Sequence, residues 1–372
     1  MKLSRVSISG VRNIDSAEIL PSPALNLVVG KNGSGKTSFL ESLYILGSGR
    51  SFRTSRLRSV VNGGHEKAMV YGSIQGKLVD IGVEKSQGVE IARNGKVRAR
   101  QNGSNVTSSS ALAYSLPVQL INSDTFLLLS GGPKIRRQYM DWGLFHVEQE
   151  YAGYWKRYSR ALRQRNQLLR YGKLSTLDRE LEPWNDELST CAIRIHGYRK
   201  PHLAELATQI ETKFERMCLL SGLGVSYHPG WDIETGFSES LRDNLDRDRA
   251  LGHTKEGPHR ADLRITLGGS PAVDRLSRGQ SKMLVCALKL VQGDMLSVTR
   301  GHKAIYLVDD LPSELDSENR QLFLSQLIEG KGQVFITAVD EQAVSQGFDE
   351  GFPEIDEAAV FHVEQGIFSR RK

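Results

Sequence analysis

Leu3, Val6, Ile8 and Val11 alternate with polar residues at the start of the chain. That is the period of a half-buried strand, predicted over residues 3–9. Residues 24–29 (ALNLVV) form a short apolar run that stops at Gly30 and read as a second strand. From 36 to 46 the spacing changes, and Phe39, Leu40, Leu43 and Leu46 line one face of a predicted helix. Residues 67–100 read as four short strands (KAMVYGSI, KLVDIGVEK, GVEIARN, KVRARQ) split by glycine or Asn-Gly turns, an antiparallel meander. The segment QNGSNVTSSS then reads as a polar loop. Between about Lys134 and Glu215 the pattern becomes helical and charge-rich. From about 256 it returns to alternating elements: strand DLRITL, helix SKMLVCALKLVQG, strand KAIYLVDD, helix NRQLFLSQLIEG, strand QVFITAV. No internal repeat is evident. This order predicts an α/β domain built from both chain ends, residues 1–125 and 256–372, with a helical lobe over 126–255 inserted between them.

Composition changes this picture little. The 372 residues are 39% hydrophobic and 25% charged, ordinary globular values that exclude extended disorder. Lys and Arg outnumber Asp and Glu by 49 to 43, an excess that permits a polyanionic partner without demanding one. Cys191, Cys218 and Cys286 are few, odd in number and far apart, the pattern of a reducing compartment rather than of disulfides or zinc. The first residues lack the apolar core of a signal peptide, and the richest apolar stretch, Met283 to Val291, is broken by Lys289. A cytoplasmic protein with no membrane partner is expected.

The chemistry begins at the end of the second strand. Gly30, Lys31, Asn32, Gly33, Ser34, Gly35, Lys36 and Thr37 match G-x-x-x-x-G-K-[ST] in full, after an apolar strand and before an amphipathic helix. Glycines let the backbone turn so that successive N–H groups face a phosphate at the positive end of a helix dipole. Lys36 would bridge the β- and γ-phosphates of ATP, and Thr37 would ligate Mg²⁺. Residues 304–310 (AIYLVDD) are an apolar strand ending in two carboxylates, where ligands bind in parallel sheets. Asp309 fits the Walker B position beside Mg²⁺, and Asp310 falls where a general base orients the attacking water.

Leu276, Ser277, Arg278, Gly279 and Gln280 (LSRGQ) precede a predicted helix and resemble the ABC-type signature, usually LSGGQ. By itself this pentapeptide also suits a plain helix cap; its place between the phosphate loop and Walker B makes it specific. Ser313 to Asp316 (SELD) follow in the position of a D-loop. Transport ATPases of this superfamily carry a histidine at the end of the next strand, but residues 333–340 (QVFITAVD) contain none. With Asp310 where a Glu is usual, slow, switch-like hydrolysis is expected.

Lys36 and Ser277 stand 241 residues apart, so a whole lobe separates the two motifs, too small for the coiled coil of SMC proteins. The chain resembles the RecF family. The resemblance rests on Val11, Arg12 and Asn13, on GGPKIRRQYMD at 131–141, on GPHRADL at 257–263, and on YLVDDLPSELDSENR at 306–320. Gln119 is the candidate for a Gln-loop, with Asp124 close behind. The resemblance implies an ABC-type P-loop ATPase head with an antiparallel β subdomain and an inserted helical lobe. It also implies an ATP-dependent homodimer that binds double-stranded DNA and single-strand/double-strand junctions. RecR, with RecO and RecA in the same pathway, would be its partners in repair, replication and the SOS response. An ABC transporter-type ATPase subunit is the alternative, and a P-loop scaffold without turnover a third.

Residues 151–177 hold seven Lys or Arg and no carboxylate. Their aromatic residues, Tyr151, Tyr154, Trp155 and Tyr158, are spaced three to four apart and read as core. Lys156, Arg157, Arg160, Arg163 and Arg170, with Arg165 and Lys173, read as a phosphate-contacting face, since solvated faces usually mix signs. No base-reading motif appears, so binding by shape and charge is expected. Arg136 and Arg137 suit either DNA or a dimer interface.

Overall fold

The computed structural model describes residues 1–78, 81–106, 108–173, 175–218, 220–301, 303–345 and 358–371. They form two compact units, Met1–Phe126 with Ser277–Lys372, and Leu127–Leu276.

The first unit is built on two six-stranded sheets. One contains β3 (Leu25–Val29), β8 (Val118–Ile121), β12 (Ile305–Val308), β13 (Gln333–Ala338), β14 (Ala358–Glu364) and β15 (Ile367–Arg370). Its order is β15-β14-β3-β13-β12-β8, parallel except for β15. Every residue of β3, β12 and β13 is buried, which explains why these segments read as unbroken apolar runs. Register sets the carboxyl ends of β3, β13 and β12 side by side, with Thr337 opposite Val28 and Val308 opposite Ile336. The helix Lys36–Ser48 leaves the end of β3 and buries Phe39, Leu40, Leu43 and Leu46.

The other sheet is antiparallel, in the order β2 (Ile14–Ile19), β1 (Lys2–Val11), β4 (Lys67–Leu78), β5 (Ile81–Ala92), β6 (Val97–Gln101) and β7 (Ser104–Val106). The expected meander is present but longer in the strand. Gly76 and Gly88, read as turn signals, lie inside β4 and β5, and so does Gly72. At Gly72 the cause is packing: an added Cβ would sit 2.7 Å from Leu46 and 2.8 Å from Leu3. The expected polar loop likewise contains structure, because Asn102 and Gly103, both at positive φ, turn β6 back into β7. Gln333 joins the two sheets. Its buried amide donates to the carbonyls of Leu3 and Ser22 and accepts from the Leu3 N–H.

The second unit holds helices Pro133–Val147, Tyr151–Tyr171 and Leu177–Cys218, and a small sheet of β9 (Leu223–His228), β10 (Asp262–Leu267) and β11 (Ser270–Pro271). β10 was expected to open the second half of the ATPase domain; it pairs instead with β9 in this unit. Its own pattern agrees, since Leu263 and Ile265 are buried while Arg264 is exposed, the alternation of an antiparallel strand with one wet face. No described helix is long and apolar enough to cross a membrane.

Candidate functional site

The phosphate loop hangs between β3 and the Lys36–Ser48 helix, held by two turns from elsewhere in the unit. Asn13, in the β1–β2 turn, donates to the Gly33 carbonyl at 3.2 Å and accepts from the Ser38 hydroxyl at 2.8 Å. Gly366, in the β14–β15 turn, donates its N–H to the Ser34 carbonyl at 2.7 Å. A Cβ at Gly366 would meet the Asn13 carbonyl at 2.2 Å, so the two turns pack on each other with room for glycine alone. Arg12 forks onto buried Glu41 at 2.9 and 2.8 Å, and Ser51 and Arg53 approach the same carboxylate. None of Gly366, Glu41, Ser51 or Arg53 was singled out from sequence, since no motif marks residues that act through distant partners.

Within the loop, Lys36 Nζ donates to the carbonyls of Gly30 and Lys31 at 2.6 and 3.1 Å. Burial pushes this ammonium's pKa down, and Asp310 and Asp309 partly restore it. The buried Ser34 hydroxyl has no hydrogen-bond partner, and nothing lies within 4 Å of the Cβ direction at Gly33, which stands at φ 78. A cation, an unpaired donor and an open glycine face on one loop before a helix fit an anionic phosphate chain.

Thr37 Oγ1 donates to Asp309 Oδ1 at 3.1 Å, so the end of β12 touches the loop after β3. Thr337, on β13 between them, donates to the same oxygen at 2.7 Å. Burial raises the Asp309 pKa, while the Thr337 and Thr37 bonds and Arg53 hold it down. Two hydroxyls around a desolvated carboxylate are hard oxygen donors of the kind Mg²⁺ takes. Asp310 follows at φ 51, ψ 47, a left-handed conformation that costs a residue with a Cβ free energy and is frequent at functional sites. Its N–H donates to Thr337 Oγ1 at 2.8 Å, and its carboxylate accepts from the Ser313 hydroxyl at 2.8 Å. Thr337 escaped the sequence reading, which asked of this strand only whether it held a histidine.

Gln119 does not stand at this edge. It lies inside β8, opposite Tyr306, fully buried, donating to Gln292 and accepting from Lys289. A buried amide in mid-strand is a core polar pair, so the Gln-loop expectation fails for it. Asp124 sits in the turn Ser123–Phe126 just after β8 and is exposed.

Ser277 caps the helix Arg278–Arg300 through a reciprocal box: its hydroxyl accepts from the Gln280 N–H, and the Gln280 side chain accepts from the Ser277 N–H. Arg278 is exposed, and Gly279 faces Asn319 and Asp316 of the D-loop region at 3.4 and 3.9 Å from its Cβ direction. Lys282 pairs with Glu314 at 2.9 Å, and Asp316 caps the helix Ser317–Glu329. Signature and D-loop thus brace one another.

In the second unit the resemblances at 131–141 and 257–263 prove to be parts of one scaffold. Arg136 grips Asp262 through two bonds at 2.7 and 3.0 Å, and Arg137 donates to the Ala261 carbonyl. Fully buried Arg199 binds Asp141 at 2.7 Å, the Tyr151 hydroxyl and the Pro258 carbonyl. Arg136 and Arg137, expected at DNA or a dimer interface, are therefore engaged inside the unit.

The basic helix Tyr151–Tyr171 divides as its period dictates. Tyr151 and Tyr158 are buried, as core, and so is Arg165, which had been grouped with the phosphate-contacting face. Arg165 bonds Asp248 and Thr254 at 2.8 and 2.7 Å, satisfied as a buried guanidinium must be. Arg157 is exposed but forks onto Glu187 at 2.7 Å, and Arg170 donates to the Gly252 carbonyl. Lys156, Arg160 and Arg163 are exposed and make no salt bridge among the described residues.

The profile of the RecF/RecN/SMC N terminal domain matches residues 2–362. The chain is 45% identical over 367 residues to the DNA replication and repair protein RecF of Stutzerimonas stutzeri, covering 98% of this chain and 96% of that one. It is 44% identical over 366 residues to the protein of the same name from Pseudomonas fluorescens, covering 98% and 97%. Among solved structures it is similar to the recombination mediator protein RecF-ATPrS in the RecFOR pathway, with TM-score 0.86, 25% identity and coverage of 100% and 98%. It shares its fold with an Smc head bound to the C-winged helix domain of ScpA, at TM-score 0.55, 13% identity and coverage of 100% and 98%.

Proposed function

The chain belongs to the RecF family, with its ABC-type ATPase head, and from that premise we propose that it is an ATP-driven DNA-binding switch of replication and recombinational repair. The observation that carries the nucleotide half of this reading is the Thr37–Asp309 hydrogen bond, which closes the phosphate loop onto the Walker B strand.

ATP bound with Mg²⁺ would supply a γ-phosphoryl group that passes to water, with ADP as the leaving group. Lys36 neutralises the phosphate chain from within the loop, exchanging its carbonyl partners for phosphate oxygens. Thr37 and Asp309 would present oxygens to the metal, and Thr337 holds the Asp309 carboxylate in place. Asp310 acts as base toward the attacking water. Its carboxylate is one methylene shorter than a Glu and tied to Ser313, which supports slow turnover.

Ser277 and the N–H groups at the start of the Arg278–Arg300 helix act on the γ-phosphate of a second subunit's ATP, giving a two-fold dimer with two sandwiched nucleotides. Lys156, Arg160, Arg163 and Arg170 contact DNA phosphates, on double-stranded DNA and on single-strand/double-strand junctions; their exposure and the lack of a carboxylate in residues 151–177 support this. Arg157 acts there only after release from Glu187. RecR, RecO and RecA are the partners through which this protein serves gap repair.

The test is sedimentation and DNA binding with and without ATP. ATP should shift the chain from monomer to dimer and tighten DNA binding, and Lys36→Ala should abolish both shifts. DNA binding indifferent to ATP and to Lys36 would overturn the switch.

A further inference from the structure

The exposed cations of the Tyr151–Tyr171 helix lead to a pocket. At about 100° per residue, Lys156, Arg160, Arg163 and Arg170 share one face, opposite buried Tyr158, Arg165 and Leu169. Gln167 falls within that stripe, and Gln164 and Tyr171 fall on the flank beside it. With Lys173, Glu180 and Trp184 they line a pocket of about 530 Å³ wholly within the second unit, a size that suits a small aromatic ligand.

Its chemistry is specific. Tyr171 is 80% exposed, an aromatic ring in water at the last turn of a helix whose other tyrosines are buried or half-buried. Trp184 packs its inner side on the lobe's hydrophobic core and shows the rest to the pocket. The Glu180 carboxylate, steadied by the Thr176 hydroxyl, belongs to the lining and disfavours a bare anion beside it. Cations along the approach, with two aromatic surfaces, two amides, the Lys173 ammonium and one carboxylate in the lining, match a nucleotide: the phosphate stays on the cations and the neutral base enters. Carboxylates accept from exocyclic base amines, and aromatic faces stack on any base.

We propose that this pocket takes one unpaired nucleobase of a DNA whose phosphates lie on the Lys156–Arg170 stripe. The base stacks on Tyr171 and Trp184 and turns its amine edge to Glu180. This rests on the DNA-binding reading above and adds the recognition of an unpaired base to it.

The test uses the full chain with ATP and two DNAs, a blunt duplex and the same duplex with one central unpaired 2-aminopurine, a fluorescent base that stacking quenches. The parent should bind the second DNA about tenfold more tightly, with quenched fluorescence. Tyr171→Ala should lose both effects while binding the blunt duplex as the parent does, and Tyr171→Phe should keep both. Equal affinity of the parent for the two DNAs overturns the pocket and leaves DNA binding standing. A preference that survives in Tyr171→Ala also overturns it. No binding of either DNA by the parent overturns both readings.

Discussion

Thr337 on β13 donates to Asp309 Oδ1 at 2.7 Å and accepts from the Asp310 N–H at 2.8 Å, so one buried hydroxyl orients both acidic residues of the neighbouring strand. Removing it in Thr337→Val leaves the volume nearly unchanged but strips a bond from a desolvated carboxylate. A hydrogen bond to a charged group contributes about 1.5–3 kcal/mol, so ATP turnover should fall roughly 10- to 100-fold. Thr337→Ser should recover most of it. Steady-state hydrolysis decides, and parent-like turnover in Thr337→Val would falsify the positioning role.

Burial raises the Asp309 pKa, so keeping its carboxylate charged costs the nucleotide-free fold stability. Asp309→Asn should therefore melt no lower than the parent without ligand. The parent should gain stability with ATP and Mg²⁺, about 2.7 kcal/mol at a hundred times the dissociation constant, and Asp309→Asn should lose the magnesium-dependent part. Thermal denaturation with ATP, with and without the metal, reads both effects.

Charge on one helix should divide into two behaviours. Neutralising Lys156, Arg160 and Arg163 to Gln should leave melting unchanged, weaken DNA binding alike for all sequences and flatten its salt slope by roughly 0.9 per lost contact. Arg165→Gln, two residues further along, should instead destabilise the second unit by about 3–5 kcal/mol, because Asp248 is left buried without its partner. An unchanged salt slope in the triple variant would place the DNA elsewhere.

Burial pushes His202 and His259 down to about 4, so both are neutral in the fold at pH 7. Unfolded, each titrates near its ordinary 6.5 and binds a proton that the folded form refuses. Their stability contribution is complete above about 6.5 and declines as pH falls toward 4, by roughly 1.4 kcal/mol per pH unit for each. His202→Phe should make the denaturation midpoint less steep in this window by one proton's worth. A pH dependence identical to the parent's would show that His202 does not titrate there.

The proposed composite dimer makes a mixing prediction. Ser277→Arg should keep ATP affinity and lose ATP-induced dimerisation, since its own phosphate loop is untouched. Mixed with Lys36→Ala, it should regain one working site per heterodimer, an intact loop facing an intact signature. Turnover of the mixture no higher than that of either variant alone would argue against the sandwich.

Chemistry carried by contiguous residues was legible early. The phosphate loop, the apolar strand ending in Asp309 and Asp310, and the helix start at Ser277 each depend on short spacing and local hydrogen bonds. Fully buried strands also announced themselves, because parallel strands covered on both faces admit little but apolar residues. Glycine misled in β4 and β5, where Gly76 and Gly88 read as turns yet lie within the strands.

The sequence by itself determined the local frame of the nucleotide site and the periods of the helices that begin at Lys36 and Tyr151. Only the tertiary structure decided which charges are spent inside. Arg165 and Arg163 read alike along the chain, yet one is buried on Asp248, 83 residues away, and the other is exposed. Thr337 gained its place by lying beside Asp309 in the sheet, and Glu41 by meeting Arg12. The reason is electrostatic: burying a charge or a hydroxyl costs free energy that only a partner at hydrogen-bond distance offsets, and that partner is chosen by the fold, not by spacing in the chain.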